Sequence, residues 1–183
     1  MTLNITRVWA MPDRETFSMQ PIGDLVKRYL RESKISVDPF ERNKRWATYT
    51  NDLNPQTEAE YHMDALDFLR MLREKLGEQG ADLVIFDPPY SPTQIKRVYD
   101  SIGLNVGEEE AWRTHGWKKE RDVINELLNI GGIVISCGWN SQGMGEGRAY
   151  EKEELLITCC GAGHNDILTL VERKLVHQPR LME

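Results

Sequence analysis

Asp87-Pro88-Pro89-Tyr90 follows directly on the apolar run ADLVIF. A continuous apolar run of that length is the pattern of a strand buried on both faces, so the tetrapeptide stands where a strand leaves its sheet. Two prolines fix φ and donate no backbone hydrogen bond, which makes a rigid turn. Such a turn aims the Asp87 carboxylate and the Pro88 carbonyl at one point. Two convergent acceptors suit an exocyclic amino group, which offers two N–H donors. Holding the amine this way localises its lone pair and makes a conjugated, weakly nucleophilic nitrogen able to attack. Tyr90 is placed to stack on the planar base or amide that carries the amine. A base inside a duplex must first be flipped out to reach such a turn.

Three more acids fall at the ends of expected strands: Asp38, Asp52 and Asp64. In an open α/β sheet, ligands bind at the carboxyl ends of the strands, near the point where strand order reverses. An acid after the second strand is placed to accept hydrogen bonds from a ribose diol, the position of Asp52. Asp64, after the third, suits an adenine amino group or an amino-acid amine. Each acid also has a plain structural use, because Asp caps helices and closes turns.

The elements that would carry these residues alternate in type. Residues 23–33 place Leu25, Val26, Tyr29 and Leu30 on one helical face. Strands are expected at 35–38, 46–53 and 60–64, followed by a helix over 65–80 that ends in Gly77 and Gly80. The buried strand 81–87 comes next, then a helix over 117–130 and a second buried strand at 131–139. Residues 155–160 and 167–175 close the chain as an antiparallel pair. Seven strands with helices between the early ones mean an α/β sheet with crossovers.

The 183 residues suit one domain, residues 1–183, without repeats or linkers. A net charge of −6 excludes a basic, non-specific nucleic-acid coat protein but leaves room for a local basic patch. Cys137, Cys159 and Cys160 form no CxxC or zinc-type spacing, and the four histidines make no metal motif. Buried thiols in a reducing compartment and no bound metal are the expectation. No apolar run approaches the ~18 residues that span a bilayer, and the N-terminus lacks a signal-type apolar stretch. A soluble cytoplasmic protein is expected.

DPPY after a buried strand resembles the catalytic signature of amino-group methyltransferases that use S-adenosylmethionine, above all those acting on adenine N6 in DNA. The order DPF (38–40), TNDLNP (50–55), MDALDFL (63–69), FDPPY (86–90) and GGIVISCGWNS (131–141) follows that fold's succession of motifs. The chain looks most similar to the small adenine-specific methylases of phages and prophages, over residues 9–175. The resemblance implies a Rossmann-like class I methyltransferase fold, a seven-stranded, mostly parallel sheet with a C-terminal antiparallel hairpin. It implies S-adenosylmethionine as methyl donor. Asp38, Pro39 and Phe40 match the cofactor loop, Asn51 and Asp52 the ribose-binding position, and Asp64 and Ala65 the adenine-ring contact. Asp87, Pro88, Pro89 and Tyr90 match the catalytic tetrad. Residues 11–22 resemble a segment that folds over the cofactor's methionine end, with Phe17 as its contact.

Two departures stand out. The family's first loop reads DPF followed by glycines, whereas this chain has DPFERNKR, with no residue that lets backbone approach a ligand closely. Only residues 91–116 separate DPPY from the next helix, so no target-recognition domain fits there. Selectivity must then be modest, come from a homodimer or partner subunit, or concern an unpaired substrate. Residues 27–45 hold seven basic residues against three acids, a patch suited to phosphates. The glycine-rich loop 138–148 reads as a mobile lid, with Trp139 and Asn140 as substrate contacts. Trp112, Trp117 and Glu108–Glu110 belong to the short insertion, and His164-Asn165-Asp166 reads as a turn. DNA is the favoured partner. Methylation of RNA or of a protein glutamine shares the chemistry, and an inert nucleic-acid- or partner-binding relative is the rival from another class.

Overall fold

The computed structural model describes residues 2–104, 107, 116–161 and 163–176. Its elements run β1 (Asn4–Trp9), α1 (Gln20–Leu30), β2 (Ser36–Asp38), β3 (Tyr49–Thr50), α2 (Ala65–Leu76) and β4 (Ala81–Phe86). They continue with α3 (Pro92–Ser101), α4 (Lys118–Leu127), β5 (Leu128–Gly138), β6 (Tyr150–Cys159) and β7 (Ile167–Lys174). The sheet order is β1-β6-β7-β5-β4-β2-β3. Every pairing is parallel except the two made by β7, with β5 and with β6. This is the Rossmann-like α/β architecture expected, with its antiparallel C-terminal hairpin.

Alternation along the central strands divides the core. In β4, Val84 and Phe86 face α2 and α4, where they meet Phe68, Leu72 and Ile124. Leu83 and Ile85 point the other way and pack with Ile22, Leu25 and Val26 of α1, as the two-residue period requires. Asp64 starts α2, its side chain accepting from the Leu66 amide at 2.9 Å. Gly80 then turns the chain into β4 at φ +57°, and a Cβ there would stand 2.2 Å from Asn129 Oδ1.

Strand membership differs from expectation in two places. Residues 60–64 form no strand; a single bridge between Asn51 and Tyr61 is all that pairs. The segment is short because Asp64 is already committed to capping α2. The seventh strand is instead β1, whose first four residues are exposed and so give no buried apolar run to read. Helix α3 occupies part of the expected insertion, with Ser91 accepting from the Gln94 amide as its cap. Trp112 and Glu108–Glu110 lie outside the described residues. Among the described residues, no helix is long and apolar enough to cross a membrane.

Phe68 is fully buried between the helices and the sheet. Phe68→Ala is expected to cost about 3–5 kcal/mol, read as a lower urea midpoint at unchanged slope.

Candidate active site

Register brings the acids together. β2 and β4 are parallel neighbours with Ser36 opposite Leu83 and Val37 opposite Val84. Asp38, the last residue of β2, and Asp87, the first after β4, therefore leave the sheet at the same edge. The loops above that edge are tied by Asn51, which is fully buried. Its Nδ2 donates to the Pro39 carbonyl at 3.2 Å and the Met63 carbonyl at 3.0 Å, and its Oδ1 accepts from the Met63 amide at 3.1 Å. One side chain thus joins the loops after β2 and β3 to the segment that enters α2.

These loops enclose a cavity of about 540 Å³, within the usual ~300–1,000 Å³ of small-molecule sites. Pro39, Phe40, Asn51, Asp52, Asp64 and Ala65 line one side, and Asp87, Pro88, Pro89, Tyr90 and Trp139 another. Phe40 meets Phe86 and Trp117 edge-on, at centroid distances of 5.8 and 5.2 Å. The Trp117 indole N–H reaches the Pro89 carbonyl at 3.3 Å and steadies the proline turn. Tyr90 presents its ring to Trp139 in a T-shaped contact at 5.7 Å. The Tyr90 hydroxyl donates to Asp87 Oδ1 and lies 3.4 Å from the Thr16 hydroxyl.

Burial pushes the Asp87 carboxyl above its ordinary value, against hydrogen bonds from Tyr90 and Thr16 and the nearby positive charge of Arg42. Burial likewise raises Asp52, opposed by the Asn54 amide and by Arg42. Burial and then the adjacent Asp87 charge lift the Tyr90 phenol well above its usual range. The carboxylates of Asp52, Asp64 and Asp87 in one concave, partly desolvated site attract cations and N–H donors.

Three expected contacts are placed elsewhere. Asp38 lies beneath the wall, fully buried; its Oδ1 accepts from the Phe40 amide at 2.9 Å and closes the turn that presents Pro39 and Phe40. Burial, with Glu41 next to it, holds its carboxyl well above the ordinary value. Phe17 is a core residue, its ring stacked with Trp46 at 6.1 Å, because an apolar ring in that short turn packs inward. Its neighbour Thr16 reaches the cavity instead. Asn140 is exposed and folds back on its own loop, accepting from the Gln142 amide at 3.0 Å.

The glycine-rich loop is anchored. Met144 is fully buried, and its amide donates to Glu172 at 2.7 Å. Sequence reading did not single out Arg14, Thr16, Arg42, Arg97 or Gln94 as wall residues; His164 and Asn165, read as a plain turn, also line the cavity. They come from four separate segments, so no local spacing could announce them. Of the seven cations in 27–45, Arg42 alone is on this wall. Arg28 pairs with Glu154, and Lys27 sits over Trp46 at 4.6 Å.

Neither a protein-family model nor a curated protein sequence matches the chain. Among solved structures it is similar to one from Streptococcus mutans, provisionally named a SAM-dependent methyltransferase, at 12% identity and a TM-score of 0.47. That similarity covers 81% of this chain and 48% of the other, so the chain spans about half that protein's length.

Asn51→Ala removes three buried hydrogen bonds and orphans their partners. It is expected to cost about 3 kcal/mol, read as a lower midpoint in thermal melts.

Proposed function

We propose that the protein transfers a methyl group from S-adenosylmethionine to the N6 amino group of adenine in DNA. The observation that carries this reading is the DPPY turn itself, aimed into a cavity that continues to Asp52, Asp64 and Ala65. The donor set fits the group: a carboxylate for ribose hydroxyls, a helix-capping acid beside an alanine for an adenine edge, and an acidic surround for a sulfonium. When bound, S-adenosylmethionine would supply an electrophilic methyl to the amine nitrogen, with the carbon–sulfur pair left on sulfur and the amine proton released to solvent.

This chain's part is to hold and orient. Asp87 accepts one amine N–H and the Pro88 carbonyl the other, which turns the nitrogen lone pair toward the methyl. Asp87 Oδ1 is engaged by Tyr90, and a carboxylate keeps further acceptor sites for the amine. Tyr90, braced edge-on by Trp139, offers its ring to the flipped base. Positioning and exclusion of water supply much of the acceleration.

Label from methyl-labelled S-adenosylmethionine should appear in N6-methyladenine of DNA, identified by mass spectrometry of nucleosides. Label in RNA or in glutamine would reassign the acceptor and keep the chemistry. Label nowhere, with no affinity for S-adenosylhomocysteine, would leave an inert relative. Asp87→Ala should lower transfer by about a thousandfold or more, with affinity for S-adenosylhomocysteine changed no more than about threefold.

The acceptor role needs the ionised carboxylate, and burial raises that carboxyl. Activity should therefore fall, as pH drops, at a point above the ordinary aspartate value. A kcat/KM profile without an acid limb above that value would contradict the role.

A further inference from the structure

The loop after β2 contains no glycine, yet it makes the left-handed turns that glycine usually makes. Arg42 has φ +60° and Arg45 φ +49°, conformations that bulky residues rarely adopt and that cluster at functional sites. Glu41 stabilises this turn from inside. It is 2% exposed, and its carboxylate accepts from the Trp46 backbone amide at 3.4 Å. The result projects the Arg42 side chain over the cavity.

Arg42 lines the main cavity and also a 20 Å³ void that opens beside Asp87, Thr16, Phe40 and Glu41. Its guanidinium gives one N–H to the Arg14 carbonyl at 2.9 Å, which ties the N-terminal segment across the mouth. Five donors are available to an arginine, and Arg42 forms no ion pair with any described residue. It shares the cavity wall with Asp52 and Asp87, and its positive charge lowers both carboxyls against the effect of burial. Arg14, also on the wall, adds a second cation on that side.

We propose that Arg42 binds the carboxylate of the methyl donor's amino-acid end, doing with a side chain what a glycine loop would do with backbone amides. This rests on the reading of the cavity as an S-adenosylmethionine site. With the adenine end at Asp64 and Ala65, the ribose at Asp52 and the reacting methyl before Asp87, the amino-acid end meets the remaining wall, residues 12–16 and Arg42. A planar guanidinium fork matches a carboxylate there. A nucleic-acid phosphate offers similar chemistry, and the experiment separates the two sources.

The test is calorimetric titration of the full chain with S-adenosylhomocysteine and with 5′-methylthioadenosine, which lacks the amino-acid end. Arg42→Gly is the informative variant, because glycine suits the left-handed backbone and keeps the turn. It should weaken S-adenosylhomocysteine by about ten- to a hundredfold, leave 5′-methylthioadenosine within about twofold, and melt no lower than the unaltered protein. Arg42→Lys should recover part of the loss. An unchanged ratio of the two affinities, whether both stay or both fall, overturns the assignment. So does an Arg42→Gly protein that binds S-adenosylhomocysteine normally but DNA more weakly, which would give Arg42 to a phosphate. If the unaltered chain binds neither compound, the methyl-donor reading itself fails, a result distinct from a preserved ratio.

Discussion

Val37 lies opposite Val84 across two adjacent parallel strands, and the placement of the chemistry depends on that register. A parallel pair sends both carboxyl ends to one edge, so Asp38 and Asp87 emerge from neighbouring strands on that edge. The apolar side chains that hold the register, Val84 and Phe86 on one face and Leu83 and Ile85 on the other, are almost wholly buried. Slipping β4 by one residue would turn each of them to the opposite layer. Core packing and site geometry are therefore one constraint.

That edge concentrates acids where water is scarce. Asp38, Glu41, Asp52 and Asp87 all have carboxyls raised first by burial. Local amides and Arg42 offset part of this, and a ligand rich in N–H donors or positive charge offsets more. Asp38 and Glu41 work from below: one closes the turn that sets Pro39 and Phe40, the other braces the turn that sets Arg42. The acids that touch the cavity and those that shape its wall are thus different residues in the same short stretch.

Loops far apart in the chain complete the wall by being tied down. Asn51 joins three segments with one amide group, Trp117 holds the proline turn from α4's start, and the Glu172 carboxylate of β7 holds Met144. A buried polar side chain with all its bonds made costs little, whereas the same groups unmatched would cost much. This is why fixed loops, rather than regular elements, can present Trp139 and Phe40 at defined positions.

Much of this was legible in the sequence where the signal is local. ADLVIF declares a strand buried on both faces, the DPPY turn follows from proline's fixed φ, and the 65–76 helix announces itself by period and by its capping Asp64. Asp52 is on the cavity wall just after β3, whereas Asp64 reaches it as the cap of α2 and not from a strand end. What needed the tertiary structure is whatever depends on who lies opposite. β1 pairs through its backbone while every side chain but Val8 stays exposed, so no apolar pattern marks it. Thr16 reaches the cavity in place of Phe17 because the neighbouring Trp46 ring claims the phenyl group. Arg42 reaches the cavity only because a buried glutamate supports a left-handed turn. Periodicity and turn chemistry act over a few residues, but burial, charge and the far side of a cavity are set by chain segments that meet only after folding.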